Sequence, residues 1–185
     1  MDDVQSCCRR WITPLLGMAF IAVVSVIAQA QSSKSINVRV VDKEGYDKVI
    51  AANKGKVIVV DCWATWCVPC RKAFPKTVEM SQKFADQGLV VVSLCFDDPV
   101  KGKVPEKVKQ FLALNDAHFE NLVSSLDISG EGSDVFEIAD GALPHFKIYG
   151  KDGKLFKVFE SGDDKEFKHE DIEAAVKAAI QVKQN

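Results

Sequence analysis

At 185 residues the chain suffices for one domain of ordinary size with a sizeable core, once any targeting segment is removed. Its 24 Lys+Arg stand against 26 Asp+Glu, a formal net charge of −2, and the lysines are interspersed with acids. No basic stripe follows from that pattern, so nucleic acid is excluded as the expected partner.

Residues 1–30 differ from the rest. Arg9 and Arg10 precede the uncharged "WITPLLGMAFIAVVSVIAQA", which closes on Ala28, Gln29 and Ala30 before a polar stretch. A basic start, an apolar middle and a small-x-small ending read as a signal peptide cut before Gln31. An uncleaved anchor is the alternative, and the only route to a membrane; Pro14 and Gly17 leave its best helical part short of the roughly 20 residues a span prefers. The expectation is an exported, periplasmic protein, soluble or N-terminally anchored, whose domain occupies residues 31–185. Cys7 and Cys8 then leave with the signal, and Cys62, Cys67, Cys70 and Cys95 remain. Four cysteines in an oxidising compartment can form two staples. A domain of about 155 residues folds without them, however, and their clustering points to chemistry.

In chain order, "INVRVV" (36–41) alternates like a strand, and "EGYDKVIAANKG" reads as a short helix ending at Gly55. "KVIVVDCWA" is a continuous valine-rich run, the pattern of a central strand buried on both faces. From Pro69 to about Gln87 the spacing of Phe74, Val78, Phe84 and Ala85 is helical, and Gly88 stops it. "LVVVSLCF" (89–96) is the next buried strand, followed by a turn and a helix from about Pro105 to Leu114. Residues 116–141 are polar and rich in glycine, and read as an irregular insert with a short strand near Phe119–Val123 and a short helix near Asp134–Ala139. "HFKIYGKDGKLFKVFE" forms a hairpin around Lys151, Asp152 and Gly153. A last amphipathic helix carries Ile172, Ala175, Val176, Ala179 and Ile180 on one face. The order predicts an α/β fold, a mixed central sheet with helices on both faces.

Cys67 and Cys70 fall where a buried strand passes into the long helix. Cys67 meets the unpaired N–H groups and the positive end of the helix, which favour thiolate over thiol. Pro69 sits in the first turn, where its missing donor costs nothing. Cys70, one turn further in, is placed to attack a mixed disulfide on Cys67. A structural zinc site needs two more ligands, and His118, His145 and His169 are singly placed, so a redox dithiol is the preferred reading and no metal is expected. Asp61 directly follows "VIVV", where an unpaired charge is expensive. Either it takes the proton of Cys70, which its place favours, or it caps the helix or reaches solvent. Trp63 reads as core and Trp66 as a rim residue shielding Cys67. "NKGKV" and "DISGEGSD" fail the phosphate-loop and calcium-loop patterns and read as turns.

"VVDCWATWCVPCRKAFP" resembles the active-site motif of the thioredoxin superfamily, and its "WATWCVPC" form is similar to the exported TlpA and ResA-like thiol-disulfide oxidoreductases. The resemblance spans most of residues 36–183 and implies a thioredoxin-like three-layer sandwich. By that resemblance Cys67 is the nucleophile, Cys70 the resolving cysteine, Asp61 the buried strand aspartate and Pro75 the helix proline. On sequence alone Pro144 is either a cis-proline or an ordinary trans strand-starter; "ALPHFKIYGKDGKL" resembles the family's cis-proline region, which places that proline at Pro144, with Leu143 before it, in the substrate-binding surface beside Trp66 and Pro69. His145 stands where the family commonly has threonine: either it stabilises the Cys67 thiolate when protonated, or it faces solvent. Cys62 and Cys95 are either two free core thiols, the preferred reading, or a second disulfide. The implied activity is reduction of specific extracytoplasmic protein disulfides, fed by a membrane electron-donor protein, with no cofactor beyond the Cys67/Cys70 disulfide. Two rivals stay open: a disulfide-donating oxidase or isomerase on the same fold, and a metallochaperone that holds Cu(I) on the pair, with His145 as a further ligand.

Overall fold

The computed structural model describes residues 36–162 and 167–182; the expected signal segment lies outside them. Six strands form one mixed sheet in the order β1-β4-β3-β2-β5-β6. Its centre is β2 (Val57–Trp63), all seven of whose residues are buried. It runs parallel to β3 (Leu89–Cys95) and antiparallel to β5 (His145–Tyr149). Such a position demands apolar, β-branched residues on both faces, which explains why "VIVV" does not alternate.

Because side chains alternate along a strand, β2 sends Ile58, Val60 and Cys62 to one face and Val57, Val59, Asp61 and Trp63 to the other. The first face is covered by α1 (Lys43–Ala52), through Tyr46, Val49 and Ile50, and by Phe136 and Ile138 beyond the short α4 (Glu131–Val135). The second is covered by α2 (Val68–Lys83), α3 (Glu106–Leu114) and α5 (His169–Gln181). Helices α1 and α2 start on side-chain acceptors: Asp42 takes the Gly45 N–H at 2.8 Å, and Cys67 itself caps α2. Helix α2 ends at Lys83, and a 3₁₀ turn, Ala85–Gln87, leads to Gly88, whose φ of 85° suits glycine. On this second face Trp63 lies 4.9 Å from Phe74 and 4.7 Å from Phe111, ring to ring, which ties β2 to α2 and α3.

Within residues 116–141 the short strand expected near Phe119–Val123 is present, and it belongs to the central sheet. It is β4 (Glu120–Ser124), which pairs in parallel with both β1 (Val38–Val41) and β3. The strand is buried, and its polar residues are satisfied internally. Asn121 accepts the Ser93 hydroxyl at 2.8 Å and donates to the carbonyls of Ala117 and Phe119 at 2.9 and 2.8 Å. In the second part of this stretch Gly132 packs against the Asp127 carbonyl so closely that an added Cβ would lie 2.3 Å from that oxygen. The predicted hairpin is present as β5 and β6 (Leu155–Glu160).

Candidate active site

Strand β2 ends at Trp63, and Ala64 to Cys67 turn the chain into α2, the Cys67 N–H donating to the Ala64 carbonyl at 3.1 Å. Cys67 is the N-cap residue, its sulfur 3.2 Å from the Cys70 N–H, with Pro69 in the first turn. The two cysteines are joined in a disulfide, Cα to Cα 5.3 Å. Cys67 retains a little exposure, 5% against 1% for Cys70. Trp66 beside them is 55% exposed, whereas Trp63 is wholly buried. Pro75 lies inside α2 and removes the donor to the Arg71 carbonyl.

Asp61 is buried on the α2 face and accepts the Thr77 hydroxyl at 2.7 Å. It neither caps a helix nor reaches solvent. Burial drives its pKa up to about 7, and the Thr77 bond only partly counters this. Thr77 stands two helical turns beyond Cys70, on the same side of α2.

The Leu143–Pro144 peptide bond is cis. Leu143, Pro144 and Pro69 line one groove of about 730 Å³, floored by Phe146, Phe167 and Ile172 and edged by Lys72, Lys76 and Lys168. Three of the four candidate substrate residues thus share a surface; Trp66 is not in that lining.

His145 is corrected on two points. It is fully buried, so it does not face solvent. It pairs across strands with Cys62, on the face that α1 covers, while its neighbour Phe146 pairs with Asp61 on the α2 side. Desolvation, helped by Lys147, holds its pKa down to about 4, so near neutral pH there is no imidazolium to stabilise Cys67. Cys62 and Cys95 are free and buried. Cys62 sits opposite Leu94 and Cys95 opposite Trp63, which puts the two sulfurs on opposite faces of the sheet, where they cannot bridge. Burial pushes the Cys62 thiol up to about 12 and Cys95 also well above its ordinary value.

Sequence reasoning missed three polar groups. Thr77 is hidden because it sits 16 positions from Asp61 on another element. Lys147, 3% exposed, donates to Glu137 and to the Phe136 carbonyl, tying β5 to the segment after α4. Asp97 had a visible signal, since it follows "LVVVSLCF" as Asp61 follows "VIVV". Among the described residues no group of three or more His, Cys, Asp or Glu side chains is arranged to hold a metal ion.

Comparison with known proteins agrees with this geometry. The Redoxin family model matches residues 20–176. The thiol-disulfide oxidoreductase ResA of Bacillus thuringiensis subsp. konkukian is 28% identical over 130 residues, covering 70% of this chain and 69% of that protein. ResA of Bacillus subtilis is 26% identical over 129 residues, 70% of this chain and 66% of its own. A Chlorobium tepidum structure assigned to thiol:disulfide interchange protein DsbE superposes with a TM-score of 0.56 at 25% identity, over 71% of this chain and 84% of its own. A secreted Mycobacterium tuberculosis disulfide oxidoreductase shares the fold, with a TM-score of 0.51 at 18% identity over 69% of this chain and 85% of its own. With a half-exposed tryptophan beside a capped Cys-x-x-Cys pair on a six-stranded mixed sheet, and with these relatives, the chain belongs to the Redoxin family as a ResA/TlpA-like thiol-disulfide oxidoreductase of the thioredoxin superfamily.

Proposed function

We propose that the protein is an exported dithiol reductant, which reduces disulfides of specific proteins outside the cytoplasm and is re-reduced by a membrane electron-donor protein. The Cys67 thiolate attacks one sulfur of the partner's disulfide; the other partner sulfur leaves as thiolate, and a mixed disulfide forms. Cys70 gives up its proton and attacks the Cys67 sulfur, which forms the Cys67–Cys70 bond and releases the second partner sulfur. Two electrons have passed to the partner. A donor dithiol then passes two electrons to the Cys67–Cys70 disulfide and is itself oxidised, which returns both cysteines to thiols.

The observation that carries this reading is Asp61: a buried carboxyl with a pKa near 7, on the strand that feeds the dithiol turn, is suited to take the Cys70 proton at neutral pH. The proton passes to Asp61 directly or through water. An extended segment of the partner lies in the groove lined by Pro69, Leu143 and Pro144, and the exposed Trp66 next to Cys67 in sequence offers a separate apolar contact. Export is supported by the pattern of residues 1–30 and by the secreted protein among the structures of this fold.

The equilibrium reduction potential of the purified domain tests the direction of flow, with Cys70→Ser as the control that abolishes the two-electron couple. A potential near −270 mV is expected. One near −120 mV makes the protein a disulfide donor instead, and a bound copper ion with no reversible couple makes it a metal carrier.

A further inference from the structure

Asp97 has no part in the chemistry above, yet it is the most heavily bonded carboxylate near the dithiol. The backbone bond from the Phe96 N–H to the Trp63 carbonyl, 2.8 Å, brings the chain leaving β3 alongside the start of the dithiol turn. There the Asp97 side chain, with no exposed surface, accepts the Thr65 N–H at Oδ2 and the Thr65 hydroxyl at Oδ1, each at 2.6 Å. Oδ2 also takes the Cys95 thiol at 3.2 Å, and Lys107 of α3 pairs with Oδ1. Burial works to raise the Asp97 pKa, but the bonds from Lys107 and Thr65 outweigh it and hold the group below the ordinary carboxylate range. The ionised form is therefore the one that grips Thr65.

Thr65 is the second residue of the turn from Ala64 to Cys67, the turn that delivers the Cys67 sulfur to the first N–H groups of α2. We propose that Asp97 is a positioning residue for the dithiol: through its two bonds to Thr65 it holds the Ala64–Cys67 turn, and with it the Cys67 sulfur at the α2 N-terminus, in both redox states. The inference rests on Cys67 as the attacking sulfur. Once the disulfide opens, the covalent tether between Cys67 and Cys70 is gone, and the turn alone keeps the Cys67 sulfur on the helix axis. Lys107 makes a carboxylate tolerable at this place, because a bare negative charge would oppose the thiolate that must form nearby.

The test is alkylation of the reduced protein by iodoacetamide as a function of pH, with the modified cysteine located by mass spectrometry. Thr65→Val deletes one of the two bonds without altering charge, and Thr65→Ser keeps it. The Val variant is expected to raise the Cys67 midpoint by about half a pH unit, roughly a threefold loss of rate on the acid side, while the Ser variant follows wild type. A Val profile that overlays wild type, or moves down, overturns the proposal. Amide exchange of the wild-type protein reads the clamp without any variant. A Thr65 N–H protected in both redox states supports it, and one exchanging at an open-chain rate after reduction overturns it. Alkylation that begins at Cys70 would instead sink the choice of nucleophile, and amide exchange would still decide whether Asp97 holds the turn.

Discussion

Asp61 and His145 are buried on opposite faces of one sheet and prefer opposite protonation states. Asp61, raised from 3.8 to about 7 by burial, binds its proton more tightly folded than unfolded, so its stabilisation is full below about pH 4 and is lost as pH rises through about 7. His145, lowered from 6.5 to about 4 by desolvation, does the reverse: its contribution is full above about pH 6.5 and is lost as pH falls through about 4. Across that window the two slopes nearly cancel, and wild-type stability is expected to be flat to the extent that these two groups govern it. Removing one partner exposes the other. Asp61→Asn should give a stability that rises with pH by about 1.4 kcal/mol per unit, and His145→Gln one that falls by a similar amount. Urea unfolding at several pH values checks both; parallel profiles for wild type and the two variants would contradict the assigned protonation states.

At the scale of elements, the strand that sequence patterning undervalued is β4. A local pattern reports polarity but not where a polar atom finds its partner. The sequence marks a short strand near Phe119–Val123 inside a polar, glycine-rich stretch, but not that Asn121 within it is 1% exposed and bonded to the neighbouring strand and to its own approach. Asn121→Ala removes the bonds to the Ser93 hydroxyl and to the carbonyls of Asn37, Ala117 and Phe119 and should cost about 2–4 kcal/mol, read as a drop in urea midpoint. Elements whose signals are local were legible: valine runs for β2 and β3, the Asp-Gly turn for the hairpin, the cap and proline spacing for α2. The site divides the same way. The disulfide partners Cys67 and Cys70 lie within one helical turn and could be read, as could the burial of Asp61 after "VIVV". The burial of His145 and the clasp of Asp97 on Thr65 depend on which strands lie side by side, and that register is a long-range property.

For the molecule as a whole, the sheet also decides which sulfurs can meet. Folded, Cys62 and Cys95 are on opposite faces with thiols that resist ionisation, and among the described residues only Cys67 and Cys70 are bonded. Nothing but the fold enforces this, because Cys62, Cys67, Cys70 and Cys95 alone allow three full pairings in an unfolded chain. Oxidation after refolding of residues 31–185 is therefore expected to give Cys67–Cys70 alone, whereas oxidation in denaturant followed by dilution should trap bridges to Cys62 or Cys95. Peptide mapping under non-reducing conditions distinguishes the two, and identical maps would mean that the buried strands do not protect their thiols.

The strand order has a consequence for synthesis. Strand β1 has one neighbour, β4, and Val38 finds its partner Asn121 roughly eighty positions further on; β2 in turn waits for β5 on its other side. A chain that emerges from a ribosome amino end first therefore cannot complete its sheet until β6 has followed, because long loops must close before the contacts that reward them exist.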